Sequence, residues 1–262
     1  MVVVMAVYVG LWLRASRPLV AVQVLSAVLA LGGAVVATRF DTPTALPWMA
    51  AFILITIAAE RAELAHLTMG PKADATLLGL AALLTLSVLA SLAIPAAQAR
   101  PVGVAVLALT VWLLIHDVVR HQLRLTGQRR FMAAALLTGY LNLILAGTVL
   151  TIRGLTADLG SYDVIVHAVF LGFAVSMVMA HAPVILPAVL GRQLPYRPVL
   201  WVPLDALQTG LVVRFTGALT GADAVWRVGS VATVAAIIAD YARLVSPPLS
   251  PPLDPRHAVR AG

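Results

Sequence analysis

The sequence predicts an all-α protein, a polytopic transmembrane helix bundle with eight full spans plus a short N-terminal apolar helix. Three observations support this prediction. Of the 262 residues, 61% are hydrophobic and only 11% are charged, and the mean hydropathy of +0.97 is unlike that of soluble globular domains. Several apolar runs reach the roughly 20 residues that cross a bilayer. The gaps between these runs are short, so no soluble domain is inserted, and the lipid bilayer is the predicted partner.

The first apolar segment, from Met1 to Leu13, is short for a span and has no basic residue ahead of it, unlike a secretory signal. It is either a re-entrant or tilted helix, or the remainder of a longer helix with an upstream start. Residues 1–245 are predicted to form one transmembrane domain, and residues 246–262 a Pro-rich, disordered tail. The eight predicted spans cover residues 19–38, 45–66, 75–97, 102–119, 131–152, 162–190, 199–219 and 225–245.

Basic residues predict the orientation of the bundle. If the eight spans alternate, thirteen of the 18 Lys and Arg residues fall on one side of the membrane and five on the other. Loops that remain in the cytoplasm carry the excess of basic residues. This pattern predicts a cytoplasmic C-terminus in a bacterial inner membrane, with the Arg-rich loop 120–130 on the same side.

Composition and motifs also limit the possible chemistry. The chain has no cysteine, which excludes disulfides, iron–sulfur clusters and thiolate metal sites and leaves imidazole and carboxylate as metal ligands. The sequence contains no nucleotide-binding or hydrolase motif, and no aromatic and basic surface typical of nucleic-acid binding. Since no acid–base–nucleophile set is recognisable, an enzymatic function is the least supported class.

The predicted span 162–190 carries two histidines, His167 and His181. A histidine inside a span is costly unless it faces protein, water or a metal, so each is a candidate site. For a regular α-helix the two lie on a similar face, about 21 Å apart along the axis, too far to bind one ion. Alternatively, His181 bonds a backbone carbonyl freed by a nearby proline. A small-residue stripe suited to close helix packing lies on the other face: Ala168, Gly172, Ser176 and Ala180.

A second candidate cluster lies at the predicted cytoplasmic end of span 45–66. Glu63 and His66 have the spacing of the Glu-x-x-His half-motif of di-iron bundles, with Glu60 nearby. The alternative is an interfacial charged turn in which Arg61 offsets a carboxylate. A further histidine, His116, ends the fourth predicted span on the same side of the membrane.

The seventh predicted span contains Asp205, Gln208 and Arg214. The two charged residues are nine positions apart, on opposite faces of a helix, so they cannot pair with each other. Each therefore requires a partner from another span or a water-filled cavity. Asp205 is a candidate for orienting a histidine ligand or for relaying protons.

Part of the second half, about residues 110–195, resembles the later spans of NnrS-type membrane proteins. The resemblance rests on GYLNLILAGTVLTIRG at 139–154, HAVFLGF at 167–173, the second histidine His181, and LGRQL at 190–194. Those proteins are linked to nitric oxide metabolism, contain haem and copper, and are akin to the haem–copper oxidase catalytic subunit. The resemblance implies haem b or copper at His167 and His181.

Three hypotheses about function follow. In the first, the protein binds haem or a metal through His181, with His66 or His116 as second ligand, and serves respiratory or nitric oxide-stress metabolism. His167 then belongs to a second, outer-side site or has a structural role. In the second, it is a small-solute or proton-coupled transporter whose path includes Asp205, Arg214 and His181. In the third, it is a structural or accessory subunit that assembles with other membrane subunits.

Overall fold

A computed structural model describes residues 2–14, 17–64, 71–97, 99–117, 119–155, 158–190 and 196–245. Within these ranges the protein is helical and contains no β-strand, which confirms the predicted all-α class. The Pro-rich tail and His66 lie outside the described residues. The predicted disorder of the tail and the predicted role of His66 therefore stay predictions.

Within the described residues, helices occupy most of each of the eight predicted apolar spans. A short N-terminal helix α1 precedes them, and short helical turns occupy several connections. The main helices are α1 (Val2–Arg14), α2 (Pro18–Arg39), α3 (Thr42–Leu64), α4 (Pro71–Ala93), α5 (Arg100–His116), α6 (Val119–Gln122), α7 (Gly127–Arg153), α8 (Leu159–His167), α9 (Ser176–Leu190), α10 (Trp201–Thr220) and α11 (Asp223–Val245).

The prediction of eight full spans is not supported. Among the described residues, five helices are long and apolar enough to cross a membrane, namely α2, α3, α4, α7 and the continuous helix Leu159–Ile185. Helix α5 is apolar but has only 17 residues. Helices α10 and α11 have 20 and 23 residues, and both carry charged side chains, with Gln208 as well in α10. The five apolar helices are consistent with a helical membrane protein.

The helix that contains both candidate histidines is continuous from α8 to α9 but not regular. A π-helical segment, Ala168–Val175, joins the two parts. We refer to the whole as the α8–α9 helix. The prediction assumed regular α-helical geometry, which a π segment interrupts because its i→i+5 hydrogen bonds wind the chain differently. The expectation that His167 and His181 lie on a similar face of a regular helix therefore does not apply.

The predicted small-residue stripe faces protein, and its neighbour is α7. Ala168, Ser176 and Ala180 have no exposed surface. A Cβ on Gly172 would lie 2.3 Å from the Asn142 side chain of α7, and a Cβ on Gly139 would lie 3.1 Å from the methyl carbon of Met177. The stripe thus brings the backbones of α7 and α8–α9 close together. Gly147 instead packs against Leu107 of α5.

Candidate functional site

Polar side chains from neighbouring helices gather at three levels along the α8–α9 helix. The first level, the Arg214 cluster, contains Asp163, His167, Arg214 and Ser230. The second, the Gln208 bridge, contains Asn142, Ser176 and Gln208. The third, the His181 cluster, contains Arg61, Asp117, Tyr140 and His181. Because polar groups are costly within a span, each level requires its own explanation.

The His181 cluster is built on a buried ion pair between α3 and the end of α5. Arg61 donates from Nε to Oδ2 of Asp117 at 2.9 Å and from Nη2 to Oδ1 at 2.6 Å. This is the bidentate geometry that matches a guanidinium to a carboxylate. The Arg61 side chain is 7% exposed and that of Asp117 is 1% exposed. Each charge therefore depends on the other for compensation.

Two more helices attach to this pair. The hydroxyl of Tyr140, on α7, donates to Oδ2 of Asp117 at 2.5 Å, and its side chain is fully buried. On α9, Nδ1 of His181 lies 2.7 Å from the Met177 carbonyl oxygen, and Nε2 lies 3.3 Å from Nη1 of Arg61. Because a carbonyl oxygen accepts and a guanidinium N–H donates, both contacts are hydrogen bonds in the neutral tautomer that carries its proton on Nδ1.

One interpretation of the sequence placed Arg61 in an interfacial charged turn, near Glu60 and Glu63. In the structure Arg61 is buried instead. Both glutamates are exposed, and the partner of Arg61 is Asp117. The sequence held a signal for this arrangement, because Leu54, Ala58 and Arg61 follow the i, i+4, i+7 spacing of one helix face. Leu54 and Ala58 are almost completely buried, so Arg61 extends the core face of α3.

The Gln208 bridge crosses three helices near the π segment. Asn142 of α7 donates from Nδ2 to Oε1 of Gln208 on α10 at 2.9 Å. Gln208 in turn donates from Nε2 to Oγ of Ser176 at 2.9 Å. The second amide donor of Asn142 reaches the Thr138 carbonyl oxygen at 2.8 Å. Gln208 was noted on the seventh predicted span, whereas no role was predicted for Asn142.

The Arg214 cluster provides the partner that the sequence analysis required for Arg214. Arg214, on α10, donates from Nε to Oδ2 of Asp163 at 2.9 Å and from Nη2 to Oδ1 at 2.6 Å. Its remaining Nη1 donates to Oγ of Ser230 on α11 at 2.8 Å. The guanidinium also lies over the Trp226 ring, 4.9 Å from its centroid, a cation–π arrangement. Arg214 thus connects α8, α10 and α11.

His167 lies at the edge of this cluster. Its Nδ1 is 2.8 Å from the Asp163 carbonyl oxygen and 3.3 Å from Oδ1 of the Asp163 carboxylate. The His167 side chain is 24% exposed. An imidazolium at this position would face an anion, whereas an imidazolium at His181 would face the Arg61 cation.

The other predicted site residues are placed apart from these clusters. His116 bonds the Trp112 carbonyl oxygen through Nδ1 at 2.9 Å and stacks on the Trp112 ring. Asp205 is exposed. Two acceptors for His181 were predicted, Asp205 and a carbonyl freed by Pro183 or Pro187. The acceptor is instead the Met177 carbonyl, four residues before His181, whereas those prolines free the carbonyls of Met179 and Pro183.

In this arrangement, Nε2 of His181 faces the guanidinium of Arg61. A cation bound to Nε2 of His181 would have to displace the guanidinium of Arg61. Within the described ranges, no group of three or more His, Asp or Glu side chains is placed to hold a metal ion. The predicted ligand His66 is outside those ranges.

The start of the α8–α9 helix is held by a capping carboxylate outside the span. Asp158 accepts from the backbone N–H and the hydroxyl of Ser161, each at 2.7 Å. The Ser161 N–H, the Ser161 hydroxyl and nearby Arg153 lower the pKa of Asp158 below its ordinary value, because each stabilises the carboxylate. This N-cap fixes where the helix begins, one turn before the Arg214 cluster.

Comparison with known sequences gave one family match. A family model described as a domain of unknown function, DUF8744, matches residues 1–246. This range covers most of the chain, so the chain belongs to that family. We found no match among curated proteins or solved structures.

Proposed function

We propose that this member of the DUF8744 family is a proton-coupled membrane transporter whose path follows the α8–α9 helix. The observation that carries the proposal is the succession of three polar clusters on that helix. Asp163 and His167 lie near its beginning, Ser176 lies at its middle, and His181 lies toward its end. Side chains from α3, α5, α7, α10 and α11 complete the clusters.

The succession supports translocation better than a purely structural role. Single interhelical hydrogen bonds in membrane bundles are individually weak, so helix packing alone does not require charges at two levels of one helix. Polar and ionisable residues inside spans are typical of ion and proton pathways. The π segment adds a second typical feature, since π-helical turns often occur at functional sites.

In this proposal, His181 is the group that takes up and releases the proton. Its Nε2 carries the lone pair and faces Nη1 of Arg61 at 3.3 Å. Protonation of Nε2 replaces this hydrogen bond with repulsion between two cations and moves the imidazole away from Arg61. The bidentate pair of Arg61 with Asp117 keeps the guanidinium in place, so the displacement falls on His181.

Proton flux in proteoliposomes tests the proposal. Vesicles that hold the purified protein and a trapped pH-sensitive dye would receive a pH step in the presence of a potassium diffusion potential. We expect proton flux above that of protein-free vesicles for the wild type. We expect loss of that flux in His181→Gln, which keeps a polar side chain but cannot take up and release a proton. His121→Gln is the matched control because His121 is exposed.

Two outcomes would contradict the proposal. One is wild-type flux equal to that of empty vesicles across a series of co-loaded small solutes. The other is unchanged flux in His181→Gln. The first outcome would favour the structural or accessory role, and the second would remove His181 from the proton path.

A haem- or copper-binding function linked to respiratory or nitric oxide-stress metabolism is a second proposal. The observation that favours it is a contact that three described histidines share. His116, His167 and His181 each bond a backbone carbonyl through Nδ1, which leaves the Nε2 lone pair as the ligand atom. For His181 this proposal requires Arg61 to turn away.

An absorption spectrum and metal analysis of the purified protein test this second proposal. A Soret band, or copper in stoichiometric amount, that disappears in His181→Ala and persists in His121→Ala would support it. A colourless, metal-free protein after expression with added haem precursor and copper would contradict it.

A further inference from the structure

The π segment Ala168–Val175 lies between the two charged clusters of the α8–α9 helix, and the Gln208 bridge contacts its C-terminal boundary. Ser176, which accepts the hydrogen bond from Gln208, is the first residue after the segment. Ser176 has no exposed surface, and Asn142 is 8% exposed. The bridge is therefore an interior contact at the residue where π winding returns to α winding.

Close packing of α7 secures the same segment from the other side. A Cβ on Gly172, in the middle of the π segment, would lie 2.3 Å from the amide carbon of Asn142. Asn142 thus acts twice: its side chain occupies the space over Gly172, and its Nδ2 begins the bridge to Gln208. Both contacts tie the segment to α7 in its present winding.

A change in winding would displace one charged cluster relative to the other. A π turn accommodates more residues than an α turn. Refolding the segment to regular α-helix rotates everything C-terminal to it by roughly 100° for each residue by which the register changes. His181 follows the segment and would leave Arg61, whereas Asp163 and His167 precede it and would keep their contacts with Arg214.

We propose that Asn142, Gln208 and Ser176 form a latch that holds the π segment in its present winding, and that release of the latch lets the segment refold and separates His181 from Arg61. This inference rests on the proposed transport function only for the biological purpose of the latch, namely to control proton release from His181. The latch itself is a conformational property with its own measurement, and Gln208 and Asn142 act in it as positioning residues.

Hydrogen exchange of the backbone amides tests the latch directly. Ser176→Ala removes the acceptor of Gln208 Nε2 and changes little volume. Loss of one neutral hydrogen bond should raise the exchange rates of residues 168–175 about 2- to 10-fold relative to the wild type. Thr216→Val is the control, because Thr216 lies on the exposed face of α10 and its hydroxyl donates to the Val212 carbonyl of the same helix.

A distance measurement shows whether the segment rewinds or merely loosens. The chain has no native cysteine, so spin labels can be attached at introduced cysteines in place of Leu141 on α7 and Val178 on α9, which are 54% and 63% exposed. We expect one distance population in the otherwise unchanged protein, and a second population when Ser176→Ala or Asn142→Ala is added.

The results separate the latch from the transport function. Faster exchange in the segment and a second distance population in the bridge variants support the latch, even if proteoliposomes show no proton flux and the transport proposal fails. Unchanged exchange and a single unchanged distance in both bridge variants overturn the latch, whatever the flux measurements show. Faster exchange with one unchanged distance also overturns it, because the segment then loosens without rewinding.

Discussion

The two charged clusters of the α8–α9 helix each contain an Arg–Asp ion pair of the same geometry, but the histidine contacts a different member of the pair in each cluster. In both clusters an arginine donates through Nε and Nη2 to the two oxygens of one aspartate. His181 contacts the arginine of its pair, whereas His167 lies 3.3 Å from the carboxylate of its pair. A second proton on His181 would therefore face the Arg61 cation, whereas a second proton on His167 would face the Asp163 anion.

The clusters also differ in the way they are enclosed. Asp117 has a 1% exposed side chain and a third donor in Tyr140. Asp163 and Arg214 are 16% and 12% exposed, and Arg214 has further contacts with Ser230 and Trp226. In the first pair, the charge of Arg61 is compensated mainly by Asp117. In the second, the charge of Arg214 is stabilised by Asp163, Ser230 and the Trp226 ring together. Mutations should show this difference.

The largest effect is expected from Asp117→Ala. It leaves the Arg61 guanidinium buried without a carboxylate and should lower the free energy of unfolding by about 3–5 kcal/mol. Unfolding in mixed micelles, followed by circular dichroism, measures the change. Replacing both partners, in Arg61→Met with Asp117→Leu, should recover most of the loss. A double variant as unstable as the single one would show that the pair is not the cause.

Asp163→Ala should have a smaller effect of about 2 kcal/mol, because Arg214 keeps Ser230 and the Trp226 ring and is partly solvated. The same unfolding measurement, carried out beside Asp117→Ala, gives the comparison. Asp205→Ala is a suitable control on α10, since Asp205 is exposed. A loss as large as that of Asp117→Ala would mean that the two clusters do not differ as described.

Between the clusters, Gly172→Leu should lower stability by about 1–3 kcal/mol through overpacking. The added side chain would occupy the position of the Asn142 amide and push α7 away from the π segment. Gly79→Leu on α4 provides the control, because a Cβ at Gly79 has no atom within 4 Å. An unchanged melting temperature in detergent for Gly172→Leu would refute the close contact.

The smallest effect is expected at the cap of α8. Asp158→Ala should lower stability by about 1 kcal/mol at neutral pH. Since the pKa of Asp158 is lowered in the folded protein, its contribution is present above the unfolded value of 3.8. It is lost as the pH falls through the lower folded value. Stability curves of the wild type and the variant should therefore converge at low pH, and a constant gap would contradict the assignment.

Sequence patterns predicted the helices well because apolar runs and their charged or Pro-containing boundaries are local features. They also placed Arg214 and both intramembrane histidines as candidates. They could not pair Arg61 with Asp117, which are 56 residues apart, or bring Asn142 to Gln208, since such pairs depend on how helices pack. The π segment was missed because residues 168–175 are apolar throughout and carry no local signal of altered winding.

The membrane sidedness, the tail and the contribution of His66 stay predictions from the sequence. Reporter fusions after Arg130 and after Arg153, at the two ends of α7, would test the predicted cytoplasmic position of loop 120–130, since the fusions should report opposite sides.

The central claim is that both charged clusters belong to one proton path. Proton flux through His167→Gln, measured beside His181→Gln and His121→Gln in the same proteoliposomes, tests it most directly. If one path includes both clusters, His167→Gln and His181→Gln both lose the flux and His121→Gln keeps it. If His167→Gln conducts as well as the wild type while His181→Gln does not, the clusters do not belong to one path and the account is contradicted.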